Sequence, residues 1–158
     1  MENVINQPTK AFIGASWACL FAGFGGFLLG LWNSELLLNE KGFYFTVILL
    51  GLYAAISLQK TVRDKSEGIP VTDLYFGLSW VAIIASVALM GAGLWNADML
   101  LSEKGFYGLA FLMSLFAAIT VQKNTRDMSL LKKVEEPVEE EHHSQVDWSE
   151  SEATDDKK

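Results

Sequence analysis

Acidic side chains, lysine, arginine and histidine are missing from the four longest apolar stretches of this 158-residue chain. Between Ala11 and Trp32, Phe43 and Leu58, Leu74 and Trp95, and Phe106 and Val121 there is no Asp, Glu, Lys, Arg or His. Catalysis gathers titratable or nucleophilic groups in a shielded place, and ion or proton transport usually places an ionisable group at membrane depth. The composition therefore points away from an enzyme. Cysteine is nearly absent as well: Cys19 stands alone inside the first run, so no intrachain disulfide or cysteine-based metal site can form. In Ser16-Trp17-Ala18-Cys19 the bulky Trp17 argues against lipoprotein processing. The run after Lys10 is too long for a signal-peptide core and is expected to remain as an anchor. The two histidines, His142 and His143, are adjacent in an acidic tract with no fixed geometry around them, so no metal and no cofactor are assigned. A clustered basic face is missing too, which removes nucleic acid from the expected partners.

Charge is divided along the chain. Residues 1–133 carry 10 Lys/Arg and 9 Asp/Glu, net +1, whereas residues 134–158 carry 2 Lys and 10 Asp/Glu, net −8, so the formal charge of −7 belongs to the tail. That tail holds too little apolar surface to offset the entropy of ordering and is expected to be disordered over 128–158, with Trp148 as an isolated docking residue at most.

The chain repeats itself without a gap. Gly-Leu-Trp-Asn at Gly30 to Asn33 returns at Gly93 to Asn96, and Glu-Lys-Gly-Phe-Tyr at Glu40 to Tyr44 returns at Glu103 to Tyr107, an offset of 63 (93 − 30, 103 − 40). The same offset pairs Ser16-Trp17 with Ser79-Trp80, Gln59-Lys60 with Gln122-Lys123, and Arg63-Asp64 with Arg126-Asp127. Each unit contains one long and one shorter apolar run. The first spans about 30 Å as a helix at 1.5 Å per residue, which matches a bilayer core. The shorter runs reach across if Lys60 snorkels and Phe43 to Phe45 sit at the interface. A soluble bundle would need a polar stripe on each surface helix, and Trp17 to Leu31 offers none.

The expected fold is all-α: a polytopic membrane protein whose four transmembrane helices form two tandem parallel hairpins. Its segments are a cytoplasmic N-terminus (1–10), a first two-helix repeat (11–64), a cytoplasmic linker (65–73), a second repeat (74–127) and the acidic tail (128–158). Lys10, Lys60, Arg63, Lys65, Lys123, Arg126, Lys132 and Lys133 lie on one side of the spans, against Lys41 and Lys104 in the hairpin links. Eight against two favours both termini in the cytoplasm.

Three sets of residues stand out within this scheme. In the links, Asn33 with Glu35 and Asn96 with Asp98 are expected to cap a short helical turn, with Trp32 and Trp95 at the headgroup boundary and Gly42 and Gly105 supplying a sharp re-entry. Asn33, Glu40, Lys41, Asn96, Glu103 and Lys104 would cap helices and fix interface depth, or line a shared external site; capping is the favoured reading. In the first span Gly14, Ala18, Ala22, Gly26 and Gly30 recur every four positions, a small-residue face that lets helices approach closely, within one chain or between copies. The span hydroxyls, Ser16, Thr46, Ser57, Ser79, Ser86, Ser114 and Thr120, are expected to bond their own backbone or a neighbouring helix.

The repeated Ser-Trp, Gly-Leu-Trp-Asn, Glu-Lys-Gly-Phe-Tyr and Gln-Lys-x-x-Arg-Asp elements resemble the YiaA/YiaB family of bacterial inner-membrane proteins, over roughly Phe12 to Asp127 as two copies. That resemblance implies a place in the bacterial cytoplasmic membrane and four spans, and it supplies no catalytic residues. The expected role is that of a non-enzymatic interaction or accessory protein. Its partners would be the lipid bilayer, further copies of itself, or a cytoplasmic protein held through the acidic tail. A small oligomeric transporter or channel for a neutral or hydrophobic solute is the alternative.

Overall fold

The computed structural model describes residues 8–155, with side chains described as far as Leu131. The first span is helical throughout but not uniform: α1 (Lys10–Leu20) passes through a π-helical segment (Phe21–Gly25) into α2 (Gly26–Asn33). Then come α3 (Leu38–Ser66), α4 (Asp73–Asn96) and α5 (Leu101–Asp155). Four stretches are long and apolar enough to cross a membrane: Lys10–Asn33, Leu38–Ser66, Asp73–Asn96 and Leu101–Leu131. By contact density Lys10–Gln122 forms one compact body.

Helix α5 is helical along its backbone to Asp155. Extending an existing helix avoids the nucleation cost, and Glu and Lys are good helix formers. The docking and metal expectations at Trp148 and His142-His143 fall outside the described side chains.

The hairpin links depart from expectation in one consistent way: the second and fourth helices begin earlier than the aromatic runs. Leu37 is extended (φ −65°, ψ 155°), and its N–H donates to Glu40 Oε2 at 2.8 Å while Lys41 N–H donates back to Leu37 O at 2.9 Å. The second link repeats this, with Leu100 N–H to Glu103 Oε2 at 2.8 Å and Lys104 N–H to Leu100 O at 3.0 Å. A glutamate at the third helical position satisfies an otherwise orphaned first-turn donor, so the helix starts there. Gly42 and Gly105 consequently lie inside helices and make no re-entry turn; among the described residues Gly68 is the one glycine with positive φ. Asn33 and Asn96 do not cap a new turn either. Each closes the preceding helix, donating from Nδ2 to the carbonyl four residues back, Leu29 O and Ala92 O, both at 2.8 Å.

The connection between repeats is a helix stop. Gly68 (φ 74°) donates to Lys65 O at 3.3 Å, Ile69 donates to Asp64 O at 2.9 Å, and Pro70 follows. This double bond to the last carbonyls needs a left-handed residue just past the helix, which glycine adopts without a Cβ penalty.

The span hydroxyls behave as expected. Ser16, Thr46, Ser79, Ser86, Ser114 and Thr120 each donate to a carbonyl three or four residues back, at 2.6–2.9 Å. Ser57 instead crosses to the neighbouring helix, where it lies 2.6 Å from the Tyr75 hydroxyl and 3.4 Å from Ser79 Oγ.

Candidate functional site

Sequence repetition becomes reciprocity in the body. A Cβ placed on Gly30 would lie 2.7 Å from Phe106 Cε1 and 3.4 Å from the Tyr107 hydroxyl. A Cβ on Gly93, its counterpart, would lie 2.6 Å from Phe43 Cε1 and 3.2 Å from Tyr44 Cε1. The glycine of each Gly-Leu-Trp-Asn therefore receives the Phe-Tyr of the other repeat. An added Cβ would push the ring aside, because the rings lie against the helix backbone itself, the close approach that small residues permit between membrane helices. Where the two exchanges meet, Tyr44 and Tyr107 stack with ring centroids 6.2 Å apart and planes 17° apart, and Phe27 meets Tyr107 edge-on at 5.4 Å. Ile48 and Phe111 complete a fully buried centre.

The rest of the repeated set builds the turns. Lys41 Nζ donates to Trp32 O at 3.0 Å and Lys104 Nζ to Trp95 O at 3.4 Å, so each lysine reaches back over its link to the carbonyl end of the preceding helix, where the helix dipole favours a cation. Trp32 and Trp95 are 83% and 85% exposed, as membrane-interface anchors are. Glu40→Ala should lower stability by about 1 kcal/mol, the usual worth of a helix-start acceptor, and Glu103→Ala by a similar amount. Denaturant titration of the purified protein in detergent micelles checks this; no change in either variant would mean the cap contributes nothing.

A cleft of about 740 Å³ lies between the two links, and Glu35, Glu40, Asp98 and Glu103 all line it. Acids from both repeats thus come together. Lys41 and Lys104 are not in the lining, being turned to the tryptophan carbonyls. The cleft is negative and would concentrate cations, but among the described residues no three acids, histidines or cysteines are grouped to hold a metal.

The small-residue ladder is split by the structure. Gly14, Ala18 and Ala22 are exposed, with open space around Gly14, while Gly26 and Gly30 approach Phe106. The buried face of the first span is instead Ser16, Gly23, Phe27 and Leu31. Gly23 makes the span's close approach to a neighbouring helix backbone: its Cβ would lie 2.9 Å from Ser114 Oγ and 3.0 Å from Ser114 N. This contact falls in the π-helical segment. Sequence reasoning missed it, and it missed the crosswise Gly30 and Gly93 contacts. The signal for the latter was present in residues retained at both copies, but a repeat shows which positions matter without showing which copy each one touches.

At the opposite end of the body a second, largely apolar groove of about 510 Å³ runs between α3, α4 and α5.

Comparison with known proteins agrees with this architecture. The yiaA/B two helix domain matches twice, at residues 12–64 and 75–127, one match per hairpin. The chain is 54% identical over 145 residues to the inner membrane protein YiaA of Escherichia coli (strain K12), covering 92% of this chain and all of that protein. It is 40% identical over 68 residues to the uncharacterized membrane protein YubF of Bacillus subtilis (strain 168), covering 42% of this chain and 78% of that one. No solved structure matches it. With both hairpins matched and a full-length relative at this identity, the chain belongs to the yiaA/B two helix domain family of membrane proteins.

Proposed function

We propose that this protein is a non-enzymatic accessory of the bacterial inner membrane, with both termini in the cytoplasm, acting through the outer flanks of its spans and its acidic tail. The observation that carries the reading is the filled centre. Where the two hairpins meet, stacked Tyr44 and Tyr107 with buried Phe27, Ile48 and Phe111 leave a packed core in place of a pathway. A closed body acts by what it touches. Phe21, Leu29, Val81 and Ile84 are more than 60% exposed on the first and third spans and offer apolar contact surface at membrane depth. Lysine and arginine counts near the span ends support the orientation, and the net −8 tail is suited to a basic cytoplasmic surface.

The test is photo-crosslinking in cells from probes at Phe21, Leu29, Val81 and Ile84, with native-lipid-disc mass spectrometry of the full chain and of a chain lacking residues 134–158. A heterologous protein adduct that weakens at least several-fold on tail deletion is the expected result. Partners unchanged by the deletion would remove the tail from the proposal. A symmetric homo-oligomer without other proteins would replace the accessory role with that of a conduit assembled between copies.

A further inference from the structure

The groove between α3, α4 and α5 combines an apolar bed with two buried polar atoms that make no hydrogen bond among the described residues. Trp80, Ile83 and Val87 of α4 line one wall, over about two helical turns or roughly 10 Å. Ile119 and Leu115 of α5 face the same space. Toward the C-terminal end of α3 the lining becomes polar, with Gln59, Arg63 and Ser66. Gln59 Oε1 and Arg63 Nε are both buried and have no hydrogen-bond partner among the described residues. Buried donors and acceptors are normally paired, and leaving one unpaired costs on the order of a hydrogen bond or more, so each such atom calls for an explanation. The counterpart amide oxygen, Gln122 Oε1, is buried and unpaired in the same way, which makes the feature a property of the repeated Gln-Lys-x-x-Arg-Asp element.

We infer that this groove holds one zwitterionic phospholipid of the surrounding bilayer, its acyl chain along Trp80, Ile83 and Val87 and its headgroup at Gln59 and Arg63. In a membrane-spanning body the groove opens among lipid-facing side chains: Val62, Trp80 and Val87 are each nearly half exposed. The unmatched atoms ask for one acceptor and one donor close together. A phosphate accepts from Arg63 Nε–H, and an ammonium donates to Gln59 Oε1 once the amide turns toward the groove. Gln59 gives up no side-chain hydrogen bond in turning.

Charge selects the headgroup. Arg63 Nη2 already lies 2.7 Å from Asp64 Oδ1 and its Nε 3.9 Å from Glu67 Oε1, while Lys65 Nζ lies 3.8 Å from Asp73 Oδ1. With Lys60, the three bases between Gln59 and Asp73 balance the three acids of that segment. A net anionic headgroup would meet Asp64 and Glu67 without a free excess of positive charge, whereas a neutral headgroup with separated charges fits both polar atoms.

The test uses purified full-length protein, stripped of lipid in detergent and titrated with phosphatidylethanolamine or phosphatidylglycerol under native mass spectrometry. One tightly retained phosphatidylethanolamine is expected, in preference to phosphatidylglycerol. Val87→Trp, which fills the apolar bed, should abolish retention, and Gln59→Leu should weaken it about 5-fold, the worth of one hydrogen bond. Gln59→Asn, which withdraws the amide without adding apolar bulk, should weaken retention in the same direction and keeps the test decisive if Val87→Trp does not fold. Equal retention of the two lipids, or retention unchanged in the Gln59 variants, overturns the proposal. So does displacement by glycerophosphoethanolamine alone, which would mean that the headgroup binds without the groove.

Discussion

Gly23→Leu should unfold the membrane body under conditions in which Gly25→Leu leaves it intact. The two glycines share one π-helical segment, yet a Cβ on Gly25 meets nothing within 4 Å, whereas one on Gly23 meets Ser114 Oγ at 2.9 Å, Ser114 N at 3.0 Å and Met113 Cε at 3.2 Å. A side-chain tip can swing aside; a backbone nitrogen in the middle of α5 cannot move without its helix. Forcing bulk into a packed contact costs about 1–3 kcal/mol, and an immovable neighbour places Gly23→Leu at the upper end, about 3 kcal/mol. Unfolding by sodium dodecyl sulfate, followed by helical circular dichroism in mixed micelles, reads the difference directly. Equal stability of the two variants would show that the first span does not rest on Ser114.

The second large effect is a coupling. Gly51 faces Phe111, whose Cε2 and Cζ would lie 2.9 and 3.0 Å from an added Cβ, with Leu115 Cδ2 at 3.1 Å. Alanine normally stabilises a helix by about 1 kcal/mol over glycine, but here the clash reverses the sign, because Phe111 is 2% exposed and has nowhere to go. Gly51→Ala should destabilise by about 2 kcal/mol. Phe111→Leu should also destabilise, by opening a small cavity. The double variant should lose about 1 kcal/mol less than the sum, since alanine then occupies part of the vacated space and residues in contact are not additive. Strict additivity in the same titration would mean that Gly51 and Phe111 do not press on each other.

Much of this architecture could be read from residue order. Four uncharged runs and an unbroken offset of 63 gave the spans, the hairpins and the membrane, and the hydroxyls bonded their own helices as expected. The links were misread because Asn33 and Asn96 are as well suited to ending a helix through a carbonyl four residues back as to starting one. Glu40 and Glu103, three residues past Leu37 and Leu100, were the signal for the true helix starts. The ladder from Gly14 to Gly30 misled for a different reason. Spacing of four defines a face but not the neighbour opposite, and the residues that contact α5 most closely, Gly23 and Gly30, lie on different stripes. The unmatched amides of Gln59 and Gln122 had no signature beyond being repeated.

The crosswise fit of each glycine with the other repeat's Phe-Tyr has a consequence for how the two halves can diverge. In an assembly of two identical hairpins every substitution would be felt at both seams, so a change that improved one and spoiled the other could not be kept. Fusion into one chain removes that constraint and holds the halves together at high effective concentration. The copies have already drifted apart at one such place. Ser57 meets the Tyr75 hydroxyl across α3 and α4, whereas the positions 63 residues away hold Thr120 and Phe12, and Thr120 bonds only its own helix at Phe116 O. One seam thus carries a polar clasp that Thr120 and Phe12 cannot form at the paired positions, and selection can tune the two independently while the shared aromatic centre stays fixed.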